Sequence, residues 1–168
     1  MVRIRDGRPG DAPALAALHV EVWRAAYGGL APAEAVAALD EARRLPVWQG
    51  LLAAAGPATG VIVAEDVAGP VGVVGFAPSV HPAFGGAVEI KHFYVASAAQ
   101  GQGVGRRLFE ATRARLAGGE VALAVVEENV AARAFYRALG GQECGRFTDP
   151  GPLWRSSNIV VRWGAEVR

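Results

Sequence analysis

Leu15, Leu18, Val22 and Trp23 recur at helical spacing and predict a helix with one apolar face. Pro9 suits a first helical turn, Asp11 favours a helix N-terminus, and Gly28-Gly29 ends the segment. Ahead of it, residues 2–6 read as a short strand. Pro32 opens a second helical region at 33–39, and residues 45–55 form a third, weaker helical piece. The pattern then changes to β-rich apolar runs at 60–66 and 71–77, joined by Val67-Ala68-Gly69-Pro70, a hairpin signal. A loop at 78–86 leads to another apolar run at 87–95. A glycine-rich turn follows, then a segment with helical spacing from Leu108 that ends near Gly118-Gly119. Residues 120–126 are strand-like and 129–139 helical. Residues 143–147 and 157–163 form a closing pair of strands around a loop rich in Pro and Gly at 148–156. The order β-α-α-β-β-β-α-β-α-β-β predicts an α/β fold with an α+β mixed sheet. With no repeat, low-complexity tract or linker, residues 1–168 are expected to form a single domain.

Composition narrows the function classes. A chain of 168 residues can bury a substantial core. Its formal net charge of +1, from 17 basic and 16 acidic residues, gives no electrostatic case for nucleic acid or an anionic membrane. Lys91 is the one lysine, and Arg, Ala and Gly are abundant, which points to compositional bias. The single cysteine, Cys144, excludes an intrachain disulfide framework. The charged, Gly- and Pro-broken start does not read as a secretory signal, and no apolar run approaches the ~20 residues of a membrane helix. The expectation is a soluble, cytoplasmic protein. His19, His81 and His92 lack the Cys or carboxylate spacing of a metal site, so no metal is expected.

The candidate chemistry centres on Gln100-Gly101-Gln102-Gly103-Val104-Gly105-Arg106-Arg107, between a strand and a helix. Glycines let a backbone turn without Cβ clashes, and a helix N-terminus offers free N–H groups and positive dipole, so this order suits a phosphate. The dinucleotide pattern G-x-G-x-x-G fails because its last glycine falls on Arg106. The P-loop pattern fails at the same residue and lacks its Lys-Ser/Thr. What fits is Gln-x-x-Gly-x-Gly at Gln100, Gly103 and Gly105. It resembles the acyl-CoA pyrophosphate loop of the GNAT-type N-acetyltransferases. Two further stretches are similar to that family. Upstream are Arg8-Pro9-Gly10-Asp11 and Trp23-Arg24-Ala25-Ala26-Tyr27, like its first helix. Downstream is Asn129, opening a helix with Phe135-Tyr136 and then Leu139-Gly140. The resemblance spans nearly the whole chain. Two positions depart from it: Ser97, where the family often has proline, and Gly141, where it usually has an aromatic.

The resemblance implies a GNAT-like acyl-CoA N-acyltransferase fold and acetyl transfer from acetyl-CoA to a primary amine by direct attack. Backbone N–H groups of Gln102, Gly103, Val104 and Gly105 would hold the diphosphate, within a loop that includes Gln100 and Gly101, with the charge of Arg106 nearby. Strand residues 93–95 (Phe93, Tyr94 and Val95) and Asn129 would line the pantetheine arm. Glu89 falls where many members carry a catalytic carboxylate, and burial in an apolar strand would raise its pKa toward that of a useful base. Pairing with Lys91 is the alternative. Regular alternation puts Glu89, Lys91 and Phe93 on one face of the strand and Ile90, His92 and Tyr94 on the other. Tyr136 shares a helix face with Asn129 and matches the family's thiolate-protonating tyrosine. It could equally be a core aromatic, and Asn129 a helix cap alone. Trp23, Tyr27, Glu89 and Trp154 could line the acceptor pocket, the aromatics serving otherwise as core or rim. The expected partner is a small-molecule or peptide amine, with no nucleic acid or membrane, and a homodimer is left open. The rival readings are a CoA-binding regulatory module without turnover and an acyltransferase for a protein N-terminus or a longer acyl group.

Overall fold

β1 (Arg3–Asp6) leads through a 3-10 turn into α1 (Ala12–Tyr27), followed by α2 (Ala33–Ala38) and α3 (Glu41–Ala53). Next come β2 (Gly60–Asp66), β3 (Gly69–Pro78), β4 (Val88–Val95) and α4 (Val104–Arg115). The chain closes with β5 (Val121–Val126), α5 (Val130–Ala138), β6 (Gln142–Asp149) and β7 (Ser156–Trp163). The computed structural model describes residues 1–167. The strands form one sheet in the order β1-β2-β3-β4-β5-β7-β6, antiparallel except between β4 and β5.

The sheet is covered on both faces, so its inner strands read as continuous apolar runs. Val61, Val63 and Val73 turn one way, onto Leu15 of α1 and Trp48 of α3. Ile62, Val74, Leu123 and Ile159 turn the other way, onto Leu108 of α4 and Tyr136 of α5. Three helices precede β2, one more than the predicted order. The piece expected from residue 45 begins at Glu41, because Asp40 caps it, its carboxylate accepting from Arg43 N at 2.8 Å. Pro46 sits inside the helix.

Two features of β4 shape the space around it. First, the strand carries a bulge. His92 pairs with Gly75 while Ile90 pairs with Phe76, which leaves Lys91 as an extra residue. The bulge inverts the alternation. Ile90 and Phe93 both join the cluster under α4 and α5, whereas Tyr94 packs with α1 and α3, and the His92 ring meets His19 and Trp48. The predicted division of faces is therefore corrected: Glu89, opposite Ile90, shares a face with His92 and Tyr94 and not with Phe93. Second, β4 and β5 pair through Val88–Val121 and Glu89–Ala122 and then diverge.

Candidate functional site

The divergence of β4 and β5 opens a groove of about 1070 Å³. It runs from the end of α1, past both strands, to the turn ahead of α4. Among the candidate site residues read from the sequence, Gln102 alone is outside the lining, its amide turned back onto the Ala98 carbonyl at 2.8 Å.

The glycine turn divides its labour. Gly101 and Gly103 have φ of +74° and +77° with open space beside them, so they serve the turn itself. Gly105 is different: a Cβ there would lie 2.7 Å from Cζ of Phe135, so this glycine lets α4 approach α5. The first bond of α4 runs from Arg107 N to Gly103 O at 3.1 Å. The N–H groups of Val104, Gly105 and Arg106 precede that bond and have no intrahelical acceptor, as at any helix start. Gln100 ties the turn to β4, donating to the Val95 carbonyl at 3.0 Å. The Arg106 guanidinium donates to Ala138 O at 3.3 Å and that of Arg107 to Val2 O at 3.0 Å, so both tether the helix.

At the other end of the groove, Asn129 caps α5, its oxygen accepting from Ala132 N at 3.2 Å. Its amide donates to the Tyr27 hydroxyl at 3.2 Å and so joins α5 to α1. Burial raises the Tyr27 pKa, and the bond from Asn129 offsets part of that rise. The Trp23 ring centre lies 5.2 Å from that of Tyr27, at a tilt of 47°, and Tyr27 meets Trp154 at 6.3 Å, so the three aromatics form one wall. Tyr136 is buried among Phe93, Phe135 and Trp163. Burial, with Tyr27 adding to it, holds its phenol above the ordinary range, so it keeps its proton at neutral pH. Glu89 is paired with Lys91 at 2.9 Å on the groove wall, the ion pair anticipated as its alternative role.

The departure at Gly141 has a packing reason. A Cβ there would meet Trp163 and Val161 at 2.6 Å, so an aromatic from β7 fills the space beside α5. The Trp163 indole then donates to Leu139 O at 3.1 Å. Tyr94 reaches away from the groove's α4 side, its hydroxyl 3.0 Å from His19 Nε2. Its side chain therefore faces α1, and its backbone is the part available to the groove. Asp149, in the 148–156 loop expected to help form the acceptor pocket, also lines the groove, as does Asn158, which sequence reasoning passed over. Asn158 had a signal, a polar residue within the apolar run of β7, where it is 6% exposed.

The family description "Acetyltransferase (GNAT) domain" matches residues 57–140, half of the 168-residue chain. "Probable N-acetyltransferase Rv2775" of Mycobacterium tuberculosis is 30% identical over 142 residues, 80% of this chain and 76% of that protein. The chain belongs to the GNAT acetyltransferase family. Solved GNAT structures share its fold. PaiA N-acetyltransferase from Thermoplasma acidophilum, determined with coenzyme A, matches at a TM-score of 0.79 and 17% identity over 99% of each chain. YncA from Salmonella typhimurium, determined with acetyl-CoA, matches at 0.72 and 19% identity, over 100% of this chain and 96% of that one. The mixed seven-stranded sheet thus has the GNAT fold, and this chain is an acetyltransferase of that family. Among the described residues no helix is long and apolar enough to cross a membrane, and no group of three His, Cys, Asp or Glu could hold a metal ion.

Proposed function

We propose that the protein transfers an acetyl group from acetyl-CoA to a primary amine of a small molecule or peptide by direct attack. The observation that carries this is the groove itself. It brings the glycine turn, the open edge of β4, Glu89, Tyr136 and the aromatic wall of α1 into one continuous space. The residues present fit the donor. Unpaired N–H groups at the start of α4 suit a diphosphate, and the β4 backbone suits strand-like pairing with the amides of the pantetheine arm.

Glu89 takes a proton from the acceptor ammonium, directly or through water. The freed amine attacks the thioester carbonyl carbon, and the negative charge that develops on oxygen is met by a backbone N–H of β4. The nitrogen of the tetrahedral intermediate gives its extra proton to water, the intermediate collapses, the C–S bond breaks, and the sulfur leaves as thiolate beside the Tyr136 hydroxyl. A free thiol has a pKa of about 8.5, well below that of a buried phenol. Full proton transfer from Tyr136 to the thiolate is therefore uphill. Tyr136 contributes most by hydrogen-bonding the sulfur as the bond breaks, and solvent returns the proton balance. Without a covalent enzyme intermediate, positioning supplies much of the rate.

The test is thiol release from acetyl-CoA against a panel of amines, amino acids, polyamines, aminoglycosides and peptides, alongside thermal stability with CoA. Release with at least one amine and a Tm raised by CoA are expected. Stabilisation without release on any acceptor would leave a CoA-binding regulatory module, and no stabilisation would sink the proposal.

A further inference from the structure

Behind the acceptor side of β4 lies a buried hydrogen-bond chain that takes no part in the acetyl-transfer steps. It crosses three elements. The Trp48 indole of α3 is 3.2 Å from His19 Nδ1 of α1. His19 Nε2 is 3.0 Å from the Tyr94 hydroxyl of β4, which is 3.4 Å from His92 Nδ1. Trp48 is fully buried and His19 is 2% exposed. His92 stands next to the bulge and three residues from Glu89, on the same face. Its ring lies over Gly75, whose added Cβ would come 3.5 Å from its Cδ2.

The chain has one permitted direction. An indole N–H donates and never accepts. His19 Nδ1 must therefore accept, and a neutral His19 carries its proton on Nε2. That N–H donates to the Tyr94 oxygen. Among the described residues the buried Tyr94 O–H has no acceptor within reach other than His92 Nδ1, so satisfying it makes Tyr94 the donor there. A neutral His92 is left with its proton on Nε2. Reversing the chain would set the Trp48 N–H against an N–H of His19, two donors face to face. Both rings are held neutral. Burial is the first cause, lowering His19 to about 2 and His92 to about 4. Charge adds to it: His92 and then Arg44 of α3 act on His19, and Arg44 and then Lys91 of β4 act on His92.

We propose that Trp48, His19 and Tyr94 are positioning residues for acetyl transfer. They lock His92 in its Nε2–H form, so that the face of β4 that carries Glu89 holds a hydrogen-bond donor three residues on and not a second base. The proposal rests on the acetyl-transfer reading, with Glu89 taking the proton.

Long-range proton–nitrogen NMR of the whole protein without substrate reads the lock directly. The expected result is bare Nδ1 and protonated Nε2 on both His19 and His92 at pH 7. Trp48→Phe keeps a ring and removes the terminal donor, and Tyr94→Phe cuts the chain next to His92. Either variant should average the two His92 nitrogen signals. Each should also add one ionisation to the acidic limb of the kcat/KM profile relative to the native enzyme. A purely structural role would lower Tm and leave both readouts unmoved. Should Trp48→Phe fail to fold, Tyr94→Phe carries the same prediction. A bare Nε2 on His92 in the native protein would overturn the proposal, as would variants with native nitrogen patterns and pH profiles. The NMR result does not depend on turnover, so an inactive protein with the lock intact would refute the acetyl-transfer reading and the positioning role, while leaving the tautomer assignment standing.

Discussion

Glu89 and Tyr136 show how far a residue's type foretells its setting. The sequence marks Glu89 as a carboxylate in an apolar strand with Lys91 two residues on, and the two form an ion pair at 2.9 Å. On the proposed mechanism, Glu89→Gln keeps shape and removes basicity, so kcat/KM at neutral pH should fall by about 10² to 10⁴ with little change in Tm. Tyr136→Phe should mainly lower kcat, by about tenfold to a hundredfold, because its hydroxyl matters as the sulfur leaves. Steady-state kinetics with the best acceptor check both, and a native kcat in Tyr136→Phe would assign the sulfur's partner to water. The chain behind His92 was out of reach at this scale. Trp48 and His19 are 29 residues apart, and their meeting is tertiary.

At the scale of elements, the glycine turn was legible as a strand-to-helix turn, but one of its glycines does a different job. Gly105 matches the motif, and its structural reason is the Phe135 ring 2.7 Å from where a Cβ would stand. Gly105→Ala should push α4 from α5 and cost about 1–3 kcal/mol, less the small gain of alanine over glycine in a helix. Gly101→Ala meets no neighbour and bears only the strain of its φ of +74°. Urea unfolding of the two variants separates packing from conformation: equal losses would contradict the division of labour. Strands and most helices were legible because their periods are regular. The start of α3 was not, because Pro46 resembles a first-turn residue while the true cap is Asp40, six positions upstream. The bulge escaped for a related reason, since one extra residue leaves composition and mean hydropathy of a strand unchanged.

At the scale of the molecule, buried neutral histidines make stability depend on acid. An unfolded histidine titrates near about 6.5. In the fold, burial above all holds His92 near about 4 and His19 near about 2. Below about 6.5 the unfolded chain binds more protons than the folded one, so stability falls with pH. The loss from His92 is complete near its folded value, and that from His19 continues lower. Glu65 adds to it. Hydrogen bonds from Arg5, then Arg3, depress its pKa from 4.5 to about 2, so its contribution fades between those values. Tm should therefore decline from pH 6.5 to 4, and His19→Asn should flatten that decline even if it starts lower. Parallel curves for the two proteins would remove His19 from the account. The two-pair seam between β4 and β5 bears on the molecule differently. In an antiparallel ladder alternate amides point away from the partner strand, so past Glu89 those of β4 that turn from β3 face the gap. Their deuterium uptake should be quick in the empty protein and slow when a molecule bridges the strands, a record of occupancy that can be read amide by amide along β4.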